Sequence, residues 1–205
     1  MSETTVETVT RTQQSTSVEP YAAVTAVGST DSRLSTNPTG TADRNAFVNA
    51  MGGAVTGVNV VTTYGPAGRF GLTVSAFSSV SADPPMVLIC INRRSPADAA
   101  VSENSRFCVN VLSTKQRDIA DTFAGYPADG APYDFTAARW DEGYTGAPSL
   151  VDAIATFDCV VETTIDSGSH TVFIGRVFGV KEGVGRPLLY TDRAYGRPCI
   201  DTHVN

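Results

Sequence analysis

The chain has 205 residues, 41% of them hydrophobic, with 15 Lys and Arg against 21 Asp and Glu for a formal net charge of -6. That length fills one core rather than two, and the basic residues are too scattered to form a footprint for nucleic acid or anionic lipid. No apolar run approaches the roughly 20 residues that span a bilayer, and the N-terminus shows neither a basic nor an apolar leader segment, which predicts a cytoplasmic protein.

From Met1 to about Gly40 the chain is rich in Ser, Thr and Glu, carries almost no large apolar residue and shows no helical or strand period. Residues 1–40 therefore read as a disordered, dispensable tail before a single domain over 41–205. Thr41 is suited to cap a short helix whose Phe47, Val48, Met51 and Val55 share one apolar face. Gly52-Gly53 ends it, and the β-rich run from Gly57 to Tyr64 stops at Gly65-Pro66-Ala67-Gly68.

A second β-prone stretch, Phe70 to Val80, is loaded with small hydroxyl residues and broken by Asp83-Pro84-Pro85. Met86 to Ile91 is then continuously apolar, which suggests a central strand buried on both faces. Ser95-Pro96 supplies a helix cap and a first-turn proline. Phe107 to Leu112 is another strand, after which Ser113 or Thr114 can cap a helix running to about Ala124 with Gly125 beyond its end. A long loop is expected from Tyr126 to Ser149, of the kind that serves as a lid or partner contact.

The last third returns to strands, from Ile154 to Ile165 and from His170 to Lys181 around a turn at Asp166-Ser167-Gly168-Ser169, with a short Leu188-Leu189-Tyr190 following. Long strands joined by a tight turn pair antiparallel. Many strands, few short helices and no βαβ rhythm point to a mainly β fold, a closed or nearly closed barrel decorated by helices. Cys90, Cys108, Cys159 and Cys199 lack CxxC spacing and read as buried free thiols rather than bridges or a zinc site.

The stretch from Gly71 to Ser81 carries the most chemical information. Small residues let a ligand approach the backbone, and hydroxyls and peptide N–H groups offer donors to a phosphate or to the polar edge of a flat ring. From composition alone, a serine-rich edge strand facing water is the commoner reading of such a stretch. The chain lacks G-x-S-x-G, H-E-x-x-H, a P-loop and the G-x-G-x-x-G fingerprint, which leaves no assembled nucleophile and no Rossmann dinucleotide site. Asp141-Glu142 reads as a solvated surface pair.

Six segments in order resemble the short-chain flavin reductase family: Ala50-Met51 with Gly57 to Thr63, Gly71 to Pro85, Ile91-Asn92 with Ser95, Phe107 to Leu112 with Phe123-Ala124-Gly125, Ser167 to Gly175, and Pro187 to Tyr190 with Tyr195-Gly196-Arg197. The resemblance spans about 43 to 198. It implies an antiparallel split-barrel homodimer that reduces FAD or FMN with NADH or NADPH and supplies the reduced flavin to a monooxygenase or halogenase. By the same resemblance Thr73, Val74, Ser75, Ala76 and Ser79 would line the flavin ring and its ribityl chain. Asn92, Arg94 and Ser95 would approach the phosphate, Tyr195 would belong to the cofactor-binding set, and His170 would be the catalytic residue positioning the nicotinamide.

One departure concerns the turn before the last long strand, where many members have Gly-Asp-His and this chain has Gly168-Ser169-His170. Two other readings use the same residues: a non-catalytic flavin carrier or redox-sensing module, and a β-barrel interaction protein without cofactor. His170 favours the enzyme, because a flavin holder needs no nicotinamide contact.

Overall fold

The computed structural model describes residues 40–199; the expectation of a tail over 1–40 falls almost wholly outside the described residues. Helix α1 (Arg44–Gly52) starts at Asp43, whose carboxylate accepts from the Ala46 N–H at 2.9 Å. The cap is thus Asp43 and not Thr41, an anionic acceptor at the positive helix end. Its apolar residues are not buried: Phe47, Val48 and Met51 are all exposed, as is Val55 beyond the helix.

Among the described residues, twelve strands and two further helices follow. These are β1 (Thr56–Gly57), β2 (Asn59–Gly65), β3 (Gly68–Val74), β4 (Phe77–Ala82), β5 (Pro85–Asn92), α2 (Pro96–Asn104), β6 (Arg106–Val111), α3 (Arg117–Ala124), β7 (Trp140–Glu142), β8 (Pro148–Leu150), β9 (Ala155–Ser167), β10 (His170–Glu182), β11 (Leu189–Thr191) and β12 (Ala194–Gly196). Ser95 and Pro96 open α2 as its residue types dictate, and Gly125 ends α3 at φ 89°. The cap expected at Ser113 or Thr114 is not used: α3 starts later, after Gln116, whose side chain instead accepts from the Ser113 N–H at 2.8 Å.

Seven strands form one antiparallel sheet in the order β3-β2-β6-β9-β10-β5-β4. The stretch Phe70 to Val80 is therefore two strands at opposite edges of this sheet, joined only by Ser75 and Ala76. A connection that short brings the edges together, so the sheet curls into a barrel closed at that point. The fold is the split barrel that the resemblance implied, with β1, β11 and β12 as a separate small sheet.

The barrel interior holds Val61, Ile89, Ile91, Val109, Phe107 and Phe173, and a second cluster under α3 holds Val60, Leu112, Phe123 and Leu150. Gly175 faces the first cluster, where a Cβ would lie 2.5 Å from the Phe107 ring and 2.9 Å from Cys159. Strand β5 is buried on one face only: Val87, Ile89 and Ile91 point inward while Met86, Leu88 and Cys90 remain half-exposed, so it is not buried on both sides. Of the cysteines, Cys108 and Cys159 are buried free thiols, Cys90 is half-buried and Cys199 is exposed. Burial pushes the Cys108 thiol up to about 12.

The region from Tyr126 to Ser149 is not one irregular loop. A 3₁₀ turn (Phe135–Ala137) and the β7–β8 pair organise it, because Phe123, Phe135 and Trp140 meet edge to face with centroids 5.0 to 5.5 Å apart. The buried Asp158 carboxylate anchors its far end, accepting from the Thr145 N–H at 2.7 Å and hydroxyl at 2.6 Å.

Candidate active site

Where the barrel closes, the end of β3 faces α3 and the small sheet across a cavity of about 580 Å³. One wall is Thr73, Val74 and Ser75; the other is built from Arg117 and Asp121 of α3 together with Tyr190, Arg193 and Tyr195. The Ser75 and Ala76 peptide N–H groups and the Ser75 hydroxyl have no hydrogen-bond partner among the described residues. Both residues are exposed and Ser75 lines the cavity, which leaves these donors available to a ligand's acceptors.

The Thr73 hydroxyl is committed elsewhere, donating to the Ala120 carbonyl of α3 at 2.7 Å. Thr73 thus fixes the distance between the two walls and keeps only its lone pairs and methyl for a ligand.

The opposite wall is held by a closed network. Tyr195 donates its hydroxyl proton to Asp121 Oδ1 at 2.7 Å, and Arg117 lies 3.9 Å from the other carboxylate oxygen and 5.0 Å from the centre of the Tyr195 ring. Burial, reinforced by the carboxylate, raises the pKa of the Tyr195 phenol, so it stays protonated. Tyr190 packs edge to face against it at 5.6 Å. The result is an aromatic wall facing Thr73, Val74 and Ser75 across the cavity, a slot able to take a flat ring.

The remaining sequence-derived residues form a second group. His170 stands opposite Asn92 in the β10–β5 register, and the Arg93 N–H donates to the Ser169 carbonyl at 3.0 Å. Asn92 accepts from the Arg94 N–H at 3.0 Å, and Ser95 caps α2 by accepting from the Ala97 N–H at 3.3 Å. The Cys90 N–H donates to the Ala76 carbonyl, which puts the end of β5 beside the Ser75–Ala76 link. Both groups therefore lie at one end of the barrel, although Asn92, Arg94, Ser95 and His170 do not line the 580 Å³ cavity. Ser79, exposed and opposite Val87, lies roughly 13 Å along β4 from Ser75.

The serine that replaces an aspartate before His170 is engaged, with its hydroxyl 2.9 Å from Nδ1. Either ring tautomer satisfies this contact; the one in which the hydroxyl donates to Nδ1 carries the ring proton on Nε2. The nearby carboxylate, Asp166, pairs instead with Arg93 at 3.3 Å.

Sequence reasoning missed Arg117, Asp121, Tyr190 and Arg193. The first two stand four residues apart on one helix face and carry opposite charges, a legible signal that they act together. The other two reach the cavity only through pairing of the β11–β12 hairpin, for which three-residue strands give no pattern.

Residues 51–198 match the family described as flavin reductase like domain. The FMN reductase (NADH) RutF of Bradyrhizobium diazoefficiens is 46% identical over 140 residues, covering 67% of this chain and 76% of the relative. In fold, the chain superposes on the Streptomyces globisporus C-1027 NADH:FAD oxidoreductase SgcE6, solved in complex with NAD and FAD fragments, with a TM-score of 0.70, 30% identity and coverage of 78% of this chain and 95% of that one. It also superposes on BorF, the flavin reductase component of a bacterial two-component tryptophan halogenase, with a TM-score of 0.68, 29% identity and coverage of 76% and 98%. A split barrel with a ring-sized slot at its closed end marks an oxidoreductase of the flavin reductase type. The chain belongs to the flavin reductase-like family.

Proposed function

We propose that the protein is an NAD(P)H-dependent reductase of FAD or FMN, which releases the reduced flavin to a flavin-dependent monooxygenase or halogenase. The observation that carries this reading is the slot: Ser75, whose N–H and hydroxyl have no partner among the described residues, on one side and the Tyr190–Tyr195 surface on the other. An isoalloxazine, planar and edged with nitrogen and carbonyl acceptors, fits both walls. The relatives named above, an NADH-dependent FMN reductase and reductases acting on FAD or serving a halogenase, support it.

Hydride transfer from a reduced nicotinamide to a flavin is chemistry that the two cofactors supply once their rings are stacked. The chain's part is to bind and align them. Ser75 and Ala76 meet the polar edge, Thr73 sets the slot width through Ala120, and Tyr195 offers a flat apolar surface with its proton tied to Asp121. His170, steadied by Ser169, holds the nicotinamide through Nε2–H. NADH or NADPH consumption that depends on added FMN or FAD tests the activity directly; no consumption with any pairing rejects it. His170→Ala is expected to lower kcat/KM for the nicotinamide by about five- to 150-fold while flavin affinity changes much less, as for one lost hydrogen bond to a polar or charged partner. A loss confined to flavin binding would move His170 to another role.

The same reading makes the protein a homodimer. The outer face of β9, β10 and β5 carries Ile165, Val172 and Cys90 in one cross-strand row and Ile174 and Leu88 in the next, an apolar stripe that a second copy would cover. Sedimentation should show a dimer at micromolar concentration; a fully active monomer contradicts this assignment.

A further inference from the structure

The turn of the β11–β12 hairpin is Asp192-Arg193, between the paired Thr191 and Ala194. Both turn residues lie in the left-handed region, at φ 48° and 60°. That is the two-residue turn in which the second position is ordinarily glycine, because a Cβ there crowds the following carbonyl. Aspartate tolerates the first position, and its N–H is anchored on the Gly52 carbonyl at 2.7 Å. Arginine at the second has no such local compensation, and backbone strain held in place by its surroundings marks a side chain retained for what it does.

Arg193 lines the 580 Å³ cavity. Arg117, the other guanidinium there, is engaged by Asp121 and the Tyr195 ring, whereas Arg193 makes no ion pair among the described residues. An uncommitted guanidinium at the mouth of a ring-binding slot is suited to the group that trails from such a ring. We propose that Arg193 is an anion subsite that binds a phosphate of the nucleotide cofactor, separate from the Asn92–Ser95 segment, and that the strained turn is kept to place it. A guanidinium recognises phosphate by paired charge-assisted hydrogen bonds. Phosphate on the flavin and pyrophosphate on the dinucleotide share this chemistry.

The inference rests on the cavity being the cofactor slot. Its test uses the full chain and four ligands: FMN against riboflavin by flavin fluorescence titration, and NADH against reduced nicotinamide mononucleotide by steady-state kinetics. In Arg193→Gly the preference for the more phosphorylated member of one pair should fall about three- to tenfold, the scale of a partly exposed charged contact. The pair that responds identifies which cofactor supplies the phosphate. Relief of the turn should at the same time raise Tm by about 2 to 4 °C. Arg193→Gln keeps the turn geometry and removes the charge, so it should lose the preference without gaining stability, and it carries the test if the glycine variant does not fold. Both preferences unchanged in a variant that turns over normally would overturn this subsite alone. A wild-type protein that binds no flavin and oxidises no nicotinamide would remove the proposed function, and the subsite with it.

Discussion

Gly175→Val is expected to destabilise the domain by about 2 to 4 kcal/mol, the upper range for overpacking a filled core. The position lies within β10 facing the barrel interior, and an added Cβ would stand 2.5 Å from one Phe107 ring carbon, 2.7 Å from another and 2.9 Å from Cys159. None of these can retreat cheaply, because Phe107 is itself fully buried among Val61, Ile89 and Phe173. Urea denaturation followed by tryptophan fluorescence measures the loss through the midpoint at constant slope. Gly175→Ala combined with Phe107→Leu should recover part of the stability lost by Gly175→Ala alone. A Gly175→Val midpoint equal to wild type would mean that the ring moves freely, contrary to the packing described.

Tyr195→Ala is expected to lower kcat/KM for the flavin by about 10- to 100-fold, corresponding to ~1.4 to 2.8 kcal/mol. Three contacts go together: the hydroxyl on Asp121, the Arg117 guanidinium over the ring, and the edge-to-face contact with Tyr190. The first two span α3 and β12, so their loss also unties the two elements that make up one wall of the slot. Tyr195→Phe keeps the ring and removes only the hydroxyl; its penalty should be smaller, about three- to tenfold, near one lost hydrogen bond. Equal losses in the two variants would mean that the proton on Asp121, rather than the flat surface, is what matters. No loss in either would take Tyr195 out of the site.

Local chemistry made some of this legible in the sequence. The β9–β10 hairpin announced itself through two long β-prone stretches around the polar turn at Gly168, and α2 through Ser95-Pro96, because such signals need no partner elsewhere in the chain. The division of Gly71 to Ser81 into strands at opposite sheet edges did not, since both halves have the same β-prone composition and edge assignment depends on partners distant in sequence. The segment from Phe135 to Leu150 likewise takes its form from Phe123 and Asp158, contacts that no periodicity records. In the slot, Thr73, Val74 and Ser75 were recognisable by family pattern, whereas the facing wall arises from β12 and from one face of α3. The exposed side chains of α1 show the reverse failure, an amphipathic pattern without a buried counterpart among the described residues.

The link between β3 and β4 has a mechanical meaning. Two residues cannot stretch beyond about 10 Å between their flanking neighbours, so the two sheet edges are tethered at Ser75–Ala76 while the Arg69 end of β3 and the Ala82 end of β4 carry no such restraint. The barrel is built like a clip: tied at the jaw beside the cavity, untied at the handles. Substitutions in the jaw alter what it grips, but lengthening it by even one residue alters the spring.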